Sequence, residues 1–125
     1  MYNVLILTND ANFYKEVEKK ISGINRIKFH IFDHGLELIN FFLTNYAQLV
    51  ILDIDVLQNE ILEMIQVLRT IHKETKILLL LSPVNMPLCS NALTLGISSY
   101  QIKPISQENV VELITTLLNT SLTHH

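Results

Sequence analysis

Two apolar runs dominate this chain of 125 residues: residues 49–53 read LVILD and residues 77–82 read ILLLLS. They are far too short to span a bilayer. They also lack the polar alternation of a strand with one wet face. Continuous short runs of Leu, Ile and Val are the pattern of strands buried on both sides, as in parallel sheets covered by helices. Each run closes on a polar residue, Asp53 in one and Ser82 in the other. A third segment, ISSYQIK, ends on Lys103 just before Pro104. In an open α/β sheet, ligands and chemistry collect at the carboxyl ends of the strands. A carboxylate, a hydroxyl and an amine are therefore expected to converge on one edge.

The rest of the chain supplies the matching helices. Strands are expected over residues 4–7, 27–32, 49–53, 77–81 and 99–102. Helices are expected over residues 12–21, 36–43 and 61–71, from near Pro87 to Gly96, and from Ser106 to about residue 118. The first helix carries Phe13, Val17 and Ile21 at helical spacing, with Asp10 or Asn12 as its cap and Gly23 beyond its end. Polar Lys28 and His30 alternate through residues 27–32, which places that strand near an edge. Ile61, Met64, Ile65 and Leu68 share one face of the third helix. Ser106, three residues before Asn109, opens the last. Five alternations imply an α/β fold: a doubly wound, five-stranded parallel sheet of order 2-1-3-4-5 with helices on both faces. Its switch point lies between strands 1 and 3, which sets the turn Thr8-Asn9-Asp10 beside Asp53.

Composition narrows the function. An apolar content of 49% with three Gly and three Pro fits a packed core rather than disorder. Residues 1–120 are expected to form one domain, with 121–125 as a tail whose final His residues are either native or the start of a tag. His124 and His125 are set aside for that reason. The formal charge is −3 and no basic run exceeds Lys19-Lys20, so nucleic acid is not an expected partner. No charged n-region precedes a long apolar stretch, so neither a signal peptide nor a membrane anchor is expected. The lone Cys89 cannot make an internal disulfide, reads as a small buried residue, and suits a reducing cytoplasm. The His residues lack zinc spacing, and no glycine-rich phosphate loop is present.

The ordered set Asp53, Ser82, Gly96, Tyr100, Lys103 and Pro104 resembles the phosphoacceptor site of response-regulator receiver domains over essentially the whole chain. Such domains have a flavodoxin-like fold and are signalling modules rather than enzymes. The resemblance implies that Asp53 is the candidate phosphoacceptor. It implies that Ser82 and Lys103 bind phosphoryl oxygens, that Tyr100 is the switch aromatic, and that the Lys103-Pro104 bond is cis. It implies a histidine kinase, a phosphotransfer protein or another signalling protein as partner. It also implies a homodimer surface on the fourth helix, fifth strand and fifth helix, where Ile102 and Ile105 are apolar candidates, with core packing as their default role.

The chain departs from that family where metal chemistry is concerned. An acidic pair holds Mg²⁺ in the family, and here the pair is Thr8-Asn9. Asn9, Asp53 and Asp55 are weak candidate ligands, and Asp10 or Asp55 is a candidate to restore charge. The loop after Asp53 is more apolar than the family's, with Leu57 and Ile61 at its usual Pro and Gly positions. Pro83 removes a backbone N–H after Ser82 and stiffens the stretch to Pro87. The expected protein is a degenerate receiver, with no cofactor or weak Mg²⁺, that works through protein contacts. A conventional Mg²⁺-dependent phosphoacceptor is the alternative. A flavodoxin-like cofactor binder is the remote one, since Thr8-Asn9-Asp10-Ala11 contains no Gly.

Overall fold

The computed structural model describes residues 2–21, 26–53 and 58–122. Strands and helices alternate along the described residues. They are β1 (Tyr2–Thr8), α1 (Ala11–Ile21), β2 (Ile27–Phe32), α2 (Gly35–Thr44), β3 (Leu49–Asp53), α3 (Gln58–Ile71), β4 (Lys76–Leu81), α4 (Cys89–Thr94), β5 (Ser99–Ile102) and α5 (Gln107–Leu122). All strand pairs are parallel, in the order β2-β1-β3-β4-β5. This is the expected doubly wound sheet, with β2 at an edge.

Side chains of a strand alternate between the two faces of its sheet, and here that alternation sorts the core into two halves. Leu5, Leu7, Val50, Leu52, Ile77, Leu79 and Leu81 pack with α2, α3 and α4. Val4, Ile6, Leu49, Ile51, Leu78 and Leu80 pack with α1 and α5. All of these are essentially solvent-free. The unbroken apolar runs of β3 and β4 are thus explained: no apolar position on either strand faces water.

Helix boundaries follow local chemistry. Asp10, one of the two expected caps, accepts the Phe13 N–H at 3.2 Å through Oδ1. The Ser106 hydroxyl accepts the Asn109 N–H at 3.1 Å and starts α5. That helix runs to Leu122, four residues past the expected end. The fourth helix is a correction. It starts at Cys89, and residues Pro83–Leu88 form a 3-10 segment instead of helix from Pro87. Proline lacks the N–H that an α-helical bond needs, so Pro83 and Pro87 delay the helix. Gly96, at φ +94°, ends the turn after α4, as read from the sequence. Gly23 and residues 124–125 lie outside the described residues.

Leu52→Ala removes a side chain sealed at the centre of the sheet and should cost about 2–5 kcal/mol. Ile31→Ala, on the edge strand and only partly buried, should cost clearly less. Urea unfolding with an unchanged m-value checks both; equal losses would contradict the two-sided burial of β3.

Candidate functional site

Strand parity also builds the site. Thr8 pairs with Asp53 in the β1–β3 ladder. Both sit two residues beyond side chains of the α1/α5 core, so both point to the α1 side of the sheet. There the side chain of Tyr14, in the first turns of α1, reaches back to the strand ends. Its hydroxyl donates to Asp53 Oδ2 at 2.8 Å, and the Thr8 hydroxyl donates to the same oxygen at 3.3 Å. The Thr8 oxygen in turn accepts the Asp10 N–H at 2.9 Å, which ties the start of α1 to the network.

The other carboxylate oxygen, Oδ1, meets the Lys103 ammonium in an ion pair and accepts no hydrogen bond beyond it among the described residues. The Lys103 N–H bonds the Leu81 carbonyl at 2.7 Å, which extends the β4–β5 pairing and carries the side chain to the sheet edge. The Lys103-Pro104 peptide is cis. Asp53 is only 9% exposed. A carboxylate this dry needs charge and donors around it. One cation and two hydroxyls supply them.

Tyr14 was not among the residues the sequence pointed to. The expected buried stripe of α1 was Phe13, Val17 and Ile21, but Tyr14, Val17 and Ile21 are the fully buried residues, and Phe13 is only partly covered. The i, i+3, i+7 spacing of Tyr14 fits a helical face as well as the chosen set. Its signal lay in the phenol, which needs a partner when buried. Burial, and next the Asp53 carboxylate, push the Tyr14 phenol well above its ordinary 10.0. Tyr14 therefore stays a hydrogen-bond donor throughout the neutral range.

The remaining sequence candidates divide. Ser82 follows β4 and shares the α1-side parity of Asp53, and its carbonyl accepts the Asn85 N–H at 2.9 Å. Tyr100 pairs with Leu79 and so belongs to the opposite face of the sheet from Lys103; it is 37% exposed. Asn9 is exposed and lines a cleft between α2 and α3 rather than the cavity at Asp53. The parity of β1 decides this, since Asn9 follows Leu5 and Leu7 on the other side. Ile102 and Ile105 are partly buried against the two cores, which is the packing role expected by default. Cys89 is buried. Asp55 and Leu57 lie outside the described residues.

Beside Asp53 opens a cavity of about 500 Å³ lined by Asp10, Phe13, Pro83, Lys103, Pro104 and Ile105. Mg²⁺ asks for several hard oxygen ligands in octahedral array. Among the described residues, Asp53 and Asp10 are the cavity's carboxylates. Asp10 already caps α1, and both oxygens of Asp53 face hydrogen-bond or ammonium donors. The donors among the described residues do not by themselves make up such a set.

Tyr14→Phe should destabilise the fold by about 1.5–3 kcal/mol, the range for a hydrogen bond to a charged group. A pH dependence should accompany it. Above pH 10 the unfolded chain releases the Tyr14 proton while the folded chain keeps it, so the unfolded state binds fewer protons and stability falls as pH rises. Tyr14→Phe removes that contribution. Urea unfolding of both proteins across this range should show a shallower alkaline decline in the variant; parallel declines would exclude a buried, hydrogen-bonded phenol.

No protein-family model matches the chain, and no curated protein matches it in sequence. Solved structures do match in fold. The receiver domain of a Francisella response regulator superposes with a TM-score of 0.76 at 18% identity, over 97% of this chain and 99% of that one. A response regulator from Thermotoga maritima gives 0.78 at 19%, over 95% and 98%. An orphan response regulator of H. pylori gives 0.80 at 16%, over 94% and 96%. The strand order, the parallel pairing and these likenesses agree: the chain has the fold of response-regulator receiver domains.

Proposed function

We propose that the chain is a receiver-type signalling module of two-component regulation that acts through protein contacts, with Asp53 serving as a structural anchor rather than a phosphoacceptor. The observation that carries this reading is the engagement of Asp53 Oδ2 by the Thr8 and Tyr14 hydroxyls and of Oδ1 by the Lys103 ammonium. Phosphoryl transfer to a carboxylate needs a free nucleophilic oxygen and a cation to offset charge in the transition state. Here the hydroxyls of Thr8 and Tyr14 satisfy Oδ2 in place of a metal, and Pro83 offers no backbone donor to an incoming phosphoryl oxygen. The partner is a histidine kinase, a phosphotransfer protein or another signalling protein. A homodimer is the further candidate, through the α4–β5–α5 face, where Leu93 and Tyr100 are exposed. No helix among the described residues is long and apolar enough to cross a membrane.

A second reading keeps Asp53 as acceptor, and the open cavity in front of it is what favours that reading. Acetyl phosphate in Mg²⁺ buffer distinguishes the two by intact-protein mass. Little or no adduct is expected. A stoichiometric gain of one phosphoryl group that disappears in Asp53→Asn would establish the acceptor reading instead.

Mg²⁺ itself gives a separate check. Amide shifts of Asn9 and Asp53 should stay unsaturated at millimolar Mg²⁺. Thr8→Asp should raise the affinity, because a carboxylate returns beside Asp53. The same variant should melt lower in chelator than in Mg²⁺, through like-charge repulsion relieved by binding. Saturation of the unaltered protein at sub-millimolar Mg²⁺ would sink the metal-free reading.

A further inference from the structure

The helix α2 carries two apolar stripes. Leu38 and Phe42 are buried against the sheet. Leu36, Ile39 and Leu43, at i, i+3 and i+7, form a second stripe, with Leu36 70% and Leu43 59% exposed and Ile39 half-buried between them at the edge of the core. Across from it, α3 presents Val67, 40% exposed, and partly buried Ile71 beyond its own buried face. A surface helix needs only one apolar stripe, so a second one on each of two neighbours is an exposed patch that calls for a covering.

The two stripes line one continuous groove. Its wider end is a cleft of about 630 Å³ that reaches from Asn9 and His34 to Val67. Its narrower end continues along Leu43, Thr70 and Ile71, and the two share Ile39, Glu63 and Val67. Gly35 sits at the floor of the wide end, where an added Cβ would come within 2.7 Å of the Met64 methyl. From Leu36 to Leu43 the groove runs roughly 10 Å along α2, and from Glu60 to Ile71 about 16 Å along α3. That length suits about three turns of helix.

The rim decides what kind of helix. Asp33, Glu60 and Glu63 line the groove, and among the described residues no Lys or Arg does. The basic group there is His34, whose Nδ1 is already within 2.7 Å of Asp33 and 3.7 Å of Glu37. An acidic edge around an apolar floor is complementary to a cationic amphipathic segment.

We propose that the α2–α3 groove is a docking site for a basic amphipathic helix of a partner protein, seated with its apolar face on Leu36, Ile39, Leu43 and Val67 and its Lys or Arg residues against Glu60 and Glu63. The site is separate from Asp53 and does not depend on whether Asp53 is phosphorylated.

The test uses the whole chain and a synthetic 14-residue helix with leucines at i, i+3, i+4 and i+7 and lysines elsewhere. A scrambled peptide of the same composition and a Leu/Glu peptide are the controls. The Leu/Lys helix should shift amides of α2 and α3, weaken with added salt, and bind at least about fivefold less well to Glu60→Lys/Glu63→Lys. Val67→Asp should abolish binding while Leu93→Ser, on α4, leaves it unchanged. Circular dichroism and melting curves show that each variant is folded. Equal binding of the scrambled or Leu/Glu peptide, shifts confined to other surfaces, or indifference to Glu60→Lys/Glu63→Lys would overturn the proposal. So would sedimentation showing that the groove is consumed by self-association, abolished by Val67→Asp.

Discussion

Burial of the central strands on both faces is the constraint from which the rest of the structure follows. The runs 49–52 of β3 and 77–81 of β4 are wholly apolar, so helices must cover both sides, and the parallel order β2-β1-β3-β4-β5 delivers them. Once that is fixed, the side of the sheet that each residue faces follows from counting in twos. The same count that sends Ile51 to the α1/α5 core sends Asp53 there as well. It carries Thr8 to the same side and Asn9 to the other.

A nearly dry carboxylate placed by that count has to be answered. Taking it out of water costs several kcal/mol unless charge and donors replace the lost hydration. Lys103 supplies the charge, and Thr8 and Tyr14 supply the donors. The arrangement links β1, β3, α1 and the end of β5 through one side chain. Two hydroxyls from the chain take up the hydrogen-bonding capacity of Asp53 Oδ2.

The opposite face of the sheet has a different character. There α2 and α3 pack their buried stripes on Leu5, Leu7, Val50 and Leu52 and retain a second set of apolar side chains in solvent. The acidic rim keeps this patch from being a featureless liability, since carboxylates at its edge disfavour close approach of another acidic surface. The two faces thus differ: the α1 side pairs its buried charge, and the α2–α3 side leaves apolar side chains in solvent.

Element order, strand positions and sheet topology were legible in the sequence, because continuous apolar runs and helical spacing are local signals that two-sided burial makes unambiguous. Asp53, Ser82 and Lys103 were legible as strand-end residues, and the Asp53–Lys103 pairing follows from their shared edge. The start of α4 was not, because proline chemistry at Pro83 and Pro87 overrode an acceptable helical pattern. Tyr14 was not legible either. Its neighbour Phe13 fits the same helical period, and only the packed angle of α1 over β1 and β3 selects which aromatic is buried against the carboxylate. The partition of Thr8 and Asn9 to opposite faces was implicit in strand parity, yet it acquired meaning only when the helices on each face were in place. By itself the sequence determined which residues reach the sheet edge, since that depends on spacing along one strand. Tertiary structure alone decided what meets them there, since hydrogen-bond partners 39 to 45 residues apart are set by how helices dock.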